Sequence, residues 1–211
     1  MFQGVERLAV KPVSGSMGSG FRVIDIRDDL PAVYDELSAD PGIIAEEFIF
    51  QTGLLHDLNP SSLNTIRVIT LRMPEGVRAV SSYLRLGGPQ SMTDNLHTGG
   101  VKVVIRMSDG KLLDGMTMTR NRLTSHPVTG VPFSGLTVPR WDEVVDFCVR
   151  AHEAAPEGLD RIGWDVCVDE THLLMIEGNA IPGFAPPRRG NPDCWKMFRQ
   201  YLDAKERAGQ I

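Results

Sequence analysis

The chain has 211 residues, 42% hydrophobic and 23% charged, with a formal net charge of −5. This is the composition of a globular protein with a sizeable core, built as one large domain or two small lobes, and its acidic balance argues against a nucleic-acid surface. No run approaches the ~18 apolar residues of a membrane span, and Met1–Lys11 lacks the apolar stretch of a signal peptide. The three cysteines, Cys148, Cys167 and Cys194, fit neither a disulfide framework nor a zinc site, and read as reduced thiols of a cytoplasmic protein.

Arg7–Val13 predicts a short strand. Ser14-Gly15-Ser16-Met17-Gly18-Ser19-Gly20 follows, a loop with no side chains to bury. Phe21–Ile26 predicts a second strand, so the loop closes a hairpin; it is not the strand-to-helix turn of a Walker motif. Leu30–Leu37 reads as a helix, and Pro41-Gly42 breaks the chain before a third strand, Ile43–Phe50. Leu54–Ser62 is irregular. Asn64–Met73 and Gly76–Leu86 predict a hairpin turning at Pro74-Glu75, and Gly99–Met107 a further strand. Residues 111–139 read as a long, poorly patterned excursion. Trp141–His152 carries apolar residues at helical spacing. Arg161–Val168 and His172–Glu177 are strands joined by Asp169-Glu170-Thr171, and a last helix runs from Cys194 to Arg207. About eight strands, mostly in hairpins, against three or four helices predict an α+β fold with mainly antiparallel sheets and flanking helices.

The candidate chemistry begins at Gly163-Trp164-Asp165 and Leu173–Asn179. Residues two apart in a strand share a face, so Glu177 and Asn179 point the same way. Directly opposed residues also share a face. A three-residue turn, Asp169–Thr171, would set Val168 opposite His172 and Asp165 opposite Met175, bringing Asp165, Glu177 and Asn179 to one side. A one-residue slip would separate the carboxylates. Two carboxylates and an amide oxygen make the hard-oxygen site that Mg²⁺ takes together with phosphate oxygens; the plain alternative is a solvated strand acid and a strand-end charge.

Lys11 ahead of the Gly/Ser loop could meet phosphate, with backbone N–H groups cradling the oxygens, or the loop is a simple turn. In Ile43–Ile49, Glu46 and Glu47 followed by Phe48 and Ile49 could hold adenine, a carboxylate taking the exocyclic amine, or be surface acids on an edge strand. Arg67 on its strand could grip phosphate bidentately. Asn95 and His97 lie in Asp94–Gly100, where His97 reads equally as a loop histidine and as an acid/base.

Taken in this order, Lys11-Pro12 with its Gly/Ser loop, Glu46-Glu47-Phe48-Ile49, Asn64…Arg67, Asn95…Gly99-Gly100, Gly163-Trp164-Asp165 and Glu177-Gly178-Asn179-Ala180-Ile181-Pro182-Gly183 resemble the ATP-grasp superfamily. Leu58–Arg67 looks most like its sugar-transfer-associated branch. Glu177–Gly183 is similar to D-alanine–D-alanine ligases, and Asn95 with its glycines to the glutamate-ligase branch. The resemblance covers residues 7–184. It implies two lobes with nucleotide between them: 1–50, a partial small lobe with the phosphate loop, and 51–211, a C-terminal lobe with the Mg²⁺-binding strands.

The resemblance also implies roles. Lys11 would contact the α-phosphate or adenine of ATP, Ser14, Ser16, Met17 and Gly18 would bind it through the phosphate loop, and Glu46, Glu47, Phe48 and Ile49 would hold adenine. Asp165, Glu177 and Asn179 would bind Mg²⁺, and Arg67, Asn95 and His97 would serve catalysis. The implied reaction is an ADP-forming carboxylate–amine ligation through an acyl-phosphate, as in synthesis of cell-surface polysaccharide or peptide conjugates. A non-catalytic nucleotide-binding module and a kinase acting on a sugar-like hydroxyl are the other readings. Expected partners are ATP, a small carboxylate and an amine, with no nucleic acid.

Two departures from the family pattern stand out. ATP-grasp enzymes usually carry an N-terminal substrate domain and another ATP-binding lysine upstream. Here the first predicted strand begins at Arg7. The expectation is a truncated gene, or a chain completed by a second copy or an N-terminal partner. Some relatives also place an arginine two residues before the metal aspartate, where this chain has Gly163, leaving Arg67, Arg85 or Arg188 to fill that place.

Overall fold

The computed structural model describes residues 5–14, 20–25, 30–39, 42–89, 91–94, 96, 99–182 and 190–209. The chain divides into two units, Met1–Phe50 and Gln51–Ile211. In the first, strands β1 (Arg7–Pro12), β2 (Arg22–Asp25) and β3 (Ile43–Glu47) accompany helix α1 (Leu30–Ala39). The sheet is antiparallel with β1 in the middle. Strand alternation buries Leu8 and Val10 against Ile24, Val33, Leu37, Ile43 and Ala45 and turns Ala9 and Lys11 to the other side. The third strand stops at Glu47, so Phe48 and Ile49 lie beyond it rather than within the longer strand predicted.

The second unit holds α2 (Gly53–Leu58), β4 (Thr65–Met73), β5 (Gly76–Leu86), β6 (Val101–Ile105), β7 (Leu112–Met116), β8 (Arg122–Leu123), α3 (Trp141–Glu153), β9 (Arg161–Val168), β10 (Leu173–Asn179) and α4 (Cys194–Arg207). Its strands form one seven-stranded antiparallel sheet, ordered β10-β9-β4-β5-β6-β7-β8. On one face Ile66, Val68, Leu84, Leu86, Val103, Val166 and Val168 pack with Leu55 and Leu58 of α2 and Val144 and Cys148 of α3. On the other, Ile69, Leu71 and Met73 pack against Met197, Phe198 and Tyr201 of α4. The fold is therefore α+β with mainly antiparallel sheets. Among the described residues no helix is long and apolar enough to cross a membrane.

Two stretches differ from their sequence reading. The irregular segment after Gly53 contains α2, whose six residues are too few to display a helical period. Residues 111–139 contribute two short strands and place Phe133 and Val138 in the core. Phe133 fits there because Gly115 has no side chain: a Cβ would stand 2.7 Å from its ring.

The β9–β10 connection corrects the predicted register. Val168 pairs with Leu173, so four residues, Asp169–His172, make the turn. Asp169 sets it: Oδ1 accepts from the N–H groups of Thr171 (2.8 Å) and His172 (2.7 Å), and Oδ2 from the Thr52 N–H and hydroxyl. Burial opposes its charge, yet the His172 imidazole and the His172 and Thr171 N–H groups hold the carboxyl far below the usual range. Continued unchanged, this register would put Asp165 and Glu177 on opposite faces. A bulge between Met175 and Glu177 shifts the ladder by one residue, leaving Glu177 opposite Asp165 and Asn179 opposite Gly163.

A buried polar network fixes where β4 begins. Gln51 Nε2 donates to the carbonyls of Asn64 (2.9 Å) and Val168 (3.3 Å), and its Oε1 accepts the Asn64 N–H at 3.0 Å. Asn64 Nδ2 donates to the Leu55 and Asn59 carbonyls, and its Oδ1 accepts from Ser62. Asn59 Nδ2 reaches the Gly87 carbonyl at 3.3 Å. The distinctive Leu58–Arg67 stretch thus braces the entry to β4. Asn64→Ala should strand several of these groups and lower unfolding stability by roughly 2–4 kcal/mol in urea titrations; a loss within about 0.5 kcal/mol would mean the network is dispensable.

Candidate active site

Cross-strand pairing assembles the site. Arg67 of β4 sits opposite Asp165 of β9 and Tyr83 of β5, and Asp165 sits opposite Glu177 of β10. Arg85 lies opposite Thr65 on one side and Lys102 of β6 on the other. Opposed residues share a face, so these side chains occupy the sheet face turned away from the α2–α3 core. Asn179 and Gly163 belong to the same row.

Asp165 is its buried centre, 2% exposed, beside Arg67 at 8%. Arg67 grips the carboxylate bidentately, Nε to Oδ1 and Nη2 to Oδ2. Arg85 Nη1 adds a donor to Oδ2, while its Nη2 lies 3.0 Å from Asp94 Oδ1. Burial alone would raise the Asp165 pKa, but the two guanidiniums outweigh it and hold the acid below its ordinary range. Burial likewise opposes the Arg67 charge, and the Asp165 carboxylate more than offsets it. Asp94 also accepts from the Thr65 N–H at 3.1 Å and from its hydroxyl. Here burial wins over Arg85 and Thr65 and pushes the carboxyl up to about 6.

Gly163 makes room for this arrangement. A Cβ there would stand 2.6 Å from Pro182 Cβ and 3.1 Å from Arg67 Cδ. A side chain at 163 would displace Pro182 and crowd the Arg67 stem, and with glycine there the guanidinium beside Asp165 comes from β4.

Glu177 and Asn179 sit at the rim. Glu177 Oε1 accepts from Asn179 Nδ2 at 2.9 Å and lies 3.9 Å from Arg67 Nη2, with its side chain 52% exposed. A half-exposed carboxylate next to an amide suits a divalent cation that takes its remaining ligands from phosphate and water. Asp165 differs, since both its oxygens already accept from arginines. Among the described residues no cluster of three or more His, Cys, Asp or Glu side chains is poised for a metal. The donors therefore fit a cation at Glu177 and Asn179, with Asp165 behind them.

In the first unit, Lys11 Nζ lies 2.7 Å from Glu46 Oε2, so the cation expected at phosphate and the acid expected at adenine pair with each other. Ser14 and Glu47 are exposed, and Phe48 and Ile49 half-buried. Ser16, Met17, Gly18, Asn95, His97 and Arg188 lie outside the described residues. The sequence reading did not assign roles to Asp94, Tyr83 or Lys102. The signal was there in part: Leu84-Arg85-Leu86 and Val101-Lys102-Val103 each set one charge inside an apolar run, on the face opposite the core.

The Asp94 shift carries a pH consequence. An acid whose folded pKa is raised contributes stability that is complete below its unfolded value near 4 and is lost as pH climbs through about 6. Asp94→Asn removes that dependence. Its stability relative to the parent should rise by roughly 2 kcal/mol between pH 4 and pH 7 in urea unfolding; a pH-independent difference would contradict the assignment.

Comparison with known proteins places the chain in a family. The family model described as sugar-transfer associated ATP-grasp matches residues 30–189. Similar solved structures include an L-amino acid ligase from Bacillus licheniformis, at 16% identity and a TM-score of 0.43, covering 83% of this chain and 32% of that one. A D-alanine–D-alanine ligase from Bacillus anthracis complexed with ATP shows 13% identity and a TM-score of 0.42, covering 96% of this chain and 53% of that one. The chain thus spans about a third to a half of these proteins. No curated protein matches it. The match over most of the chain shows that it belongs to the sugar-transfer associated ATP-grasp family.

Proposed function

We propose that this chain is the nucleotide- and metal-binding part of an ATP-dependent, ligase-type enzyme that activates a carboxylate as an acyl-phosphate for attack by an amine. The observation carrying the reading is the row Glu177–Asp165–Arg67, with Arg85 behind it, in an ATP-grasp chain. In the first step a carboxylate oxygen attacks the γ-phosphorus and ADP leaves with the bridging oxygen. In the second an amine attacks the acyl carbon, loses a proton and displaces phosphate. Both steps move negative charge between oxygens, so fixed cations nearby lower their barriers.

Arg67 is suited to that task because Asp165 holds it in place and uses only part of its donor set. Glu177 and Asn179 would hold Mg²⁺, which supplies charge neutralisation on the phosphates. Lys11, Ser14, Ser16, Met17 and Gly18 are assigned to the nucleotide phosphates, and Glu46 to Ile49 to adenine, with the Lys11–Glu46 pair opening on binding. Asn95 and His97 are assigned to the acceptor side. The family's association with sugar transfer favours acceptors of surface-polysaccharide or peptide-conjugate synthesis, handled in the cytoplasm.

The test is calorimetric titration with a non-hydrolysable ATP analogue across a range of Mg²⁺ concentrations, followed by ATP turnover with mixed carboxylic acids and hydroxylamine as the trap. Mg²⁺-dependent binding and hydroxamate formed together with ADP are expected. Glu177→Gln should raise the Mg²⁺ needed for half-saturation by about tenfold or more. Absence of Mg²⁺-dependent nucleotide binding would overturn the proposal, and a stable phosphorylated hydroxyl product would convert the ligase reading into a kinase.

A further inference from the structure

Among the described residues, Lys102 is the cation of the charged face without an acid partner. Its ammonium lies 4.6 Å from the centre of the Tyr83 ring. Both nearby aspartates are occupied elsewhere: Asp165 by Arg67 and Arg85, Asp94 by Arg85 and Thr65. Among the described residues no carboxylate reaches ion-pair distance of Lys102 Nζ. Burial weakens its hold on its proton, and the charges of Arg67 and Arg85 add to this against the opposing Asp165. The Tyr83 ring face returns only part of what water would have supplied.

Strand order makes this a convergence of cations. Lys102 stands directly opposite Arg85, and Arg67 is the neighbour of Thr65, which stands opposite Arg85 on its other side. Three adjacent strands thus each aim one long basic side chain from the same face. Cations brought this close repel unless an anion shares the space. Asp165 and Asp94 pair with the two arginines, Glu177 lies beyond them on β10, and the Lys102 end of the row has no such partner among the described residues.

We propose that Lys102, with Arg85 and Arg67, forms an oxyanion subsite on the β4–β5–β6 part of the sheet face, receiving a carboxylate or phosphoryl group of the substrate. This deepens the ligase reading by giving the anionic acceptor a landing place, and it rests on that reading for the word substrate. Lys102 is the specificity-determining member: each arginine spends part of its donor set on aspartates, whereas the Lys102 ammonium meets no carboxylate among the described residues. A planar carboxylate and a tetrahedral phosphate both satisfy this chemistry.

The test uses the full chain without nucleotide. Amide and arginine Nε–H resonances are followed by NMR during separate titrations with inorganic phosphate and with acetate. Saturable shifts at Arg85 Nε–H and at the Lys102 amide are expected, and the anion producing them names the ligand class. Lys102→Met should weaken that affinity at least tenfold, Lys102→Arg should keep most of it, and Lys111→Met, at an exposed lysine near Asp109, should leave it unchanged. Saturation by neither anion, or equal affinity in Lys102→Met, would overturn the subsite. Since ATP is absent, such a failure leaves the nucleotide titration above intact, and the converse also holds.

Discussion

Asp165 is a carboxylate taken almost entirely out of water, and such a charge persists only where other groups replace its hydration. Arg67 and Arg85 do this, and they in turn need Asp165 to remain charged beneath the sheet surface. Neither arginine could sit so deep without the acid, and the acid could not ionise without them. The rest of the second unit is arranged to keep these three groups in register. Thr65 and Asp94 steady Arg85 from one side, Gly163 clears a path for the Arg67 stem, and Glu177 and Asn179 extend the row to the rim.

Register on both flanks is held by polar groups that touch nothing in the row. Asp169 defines the β9–β10 turn and the Met175/Glu177 bulge then returns the carboxylates to one face. Gln51, Asn59, Ser62 and Asn64 fasten the start of β4 to α2 and to the end of β9. Slippage by one residue at either place would turn Asp165 or Arg67 into the apolar core. The buried polar side chains of this unit therefore serve geometry, and the charged face inherits its precision from them.

Much of this was legible from residue pattern. Alternation in Asn64–Met73 and Gly76–Leu86 marked the hairpin, and the motif order from Lys11 to Gly183 pointed to the ATP-grasp fold that the family match shows. What pattern could not supply was the pairing of strands distant in sequence. Arg67 meets Asp165 because β4 lies beside β9, a neighbourhood that nothing local encodes. The turn length was hidden for a similar reason, since it depends on hydrogen bonds to Asp169, and no residue pattern marks the bulge that follows. Lys102 looked like one lysine among others until β6 was placed against β5. Asn59, Ser62 and Asn64 read as a family signature, and their physical work is to brace a strand.

The most direct measure of the Asp165 clamp is a double-mutant cycle on Asp165→Asn and Arg67→Met, read by urea unfolding at neutral pH. Each single change leaves a buried charge short of its partner, and the double change removes both. A coupling of at least about 2 kcal/mol is predicted. Additivity within about 0.5 kcal/mol would show that the two groups do not depend on each other, and would contradict the account.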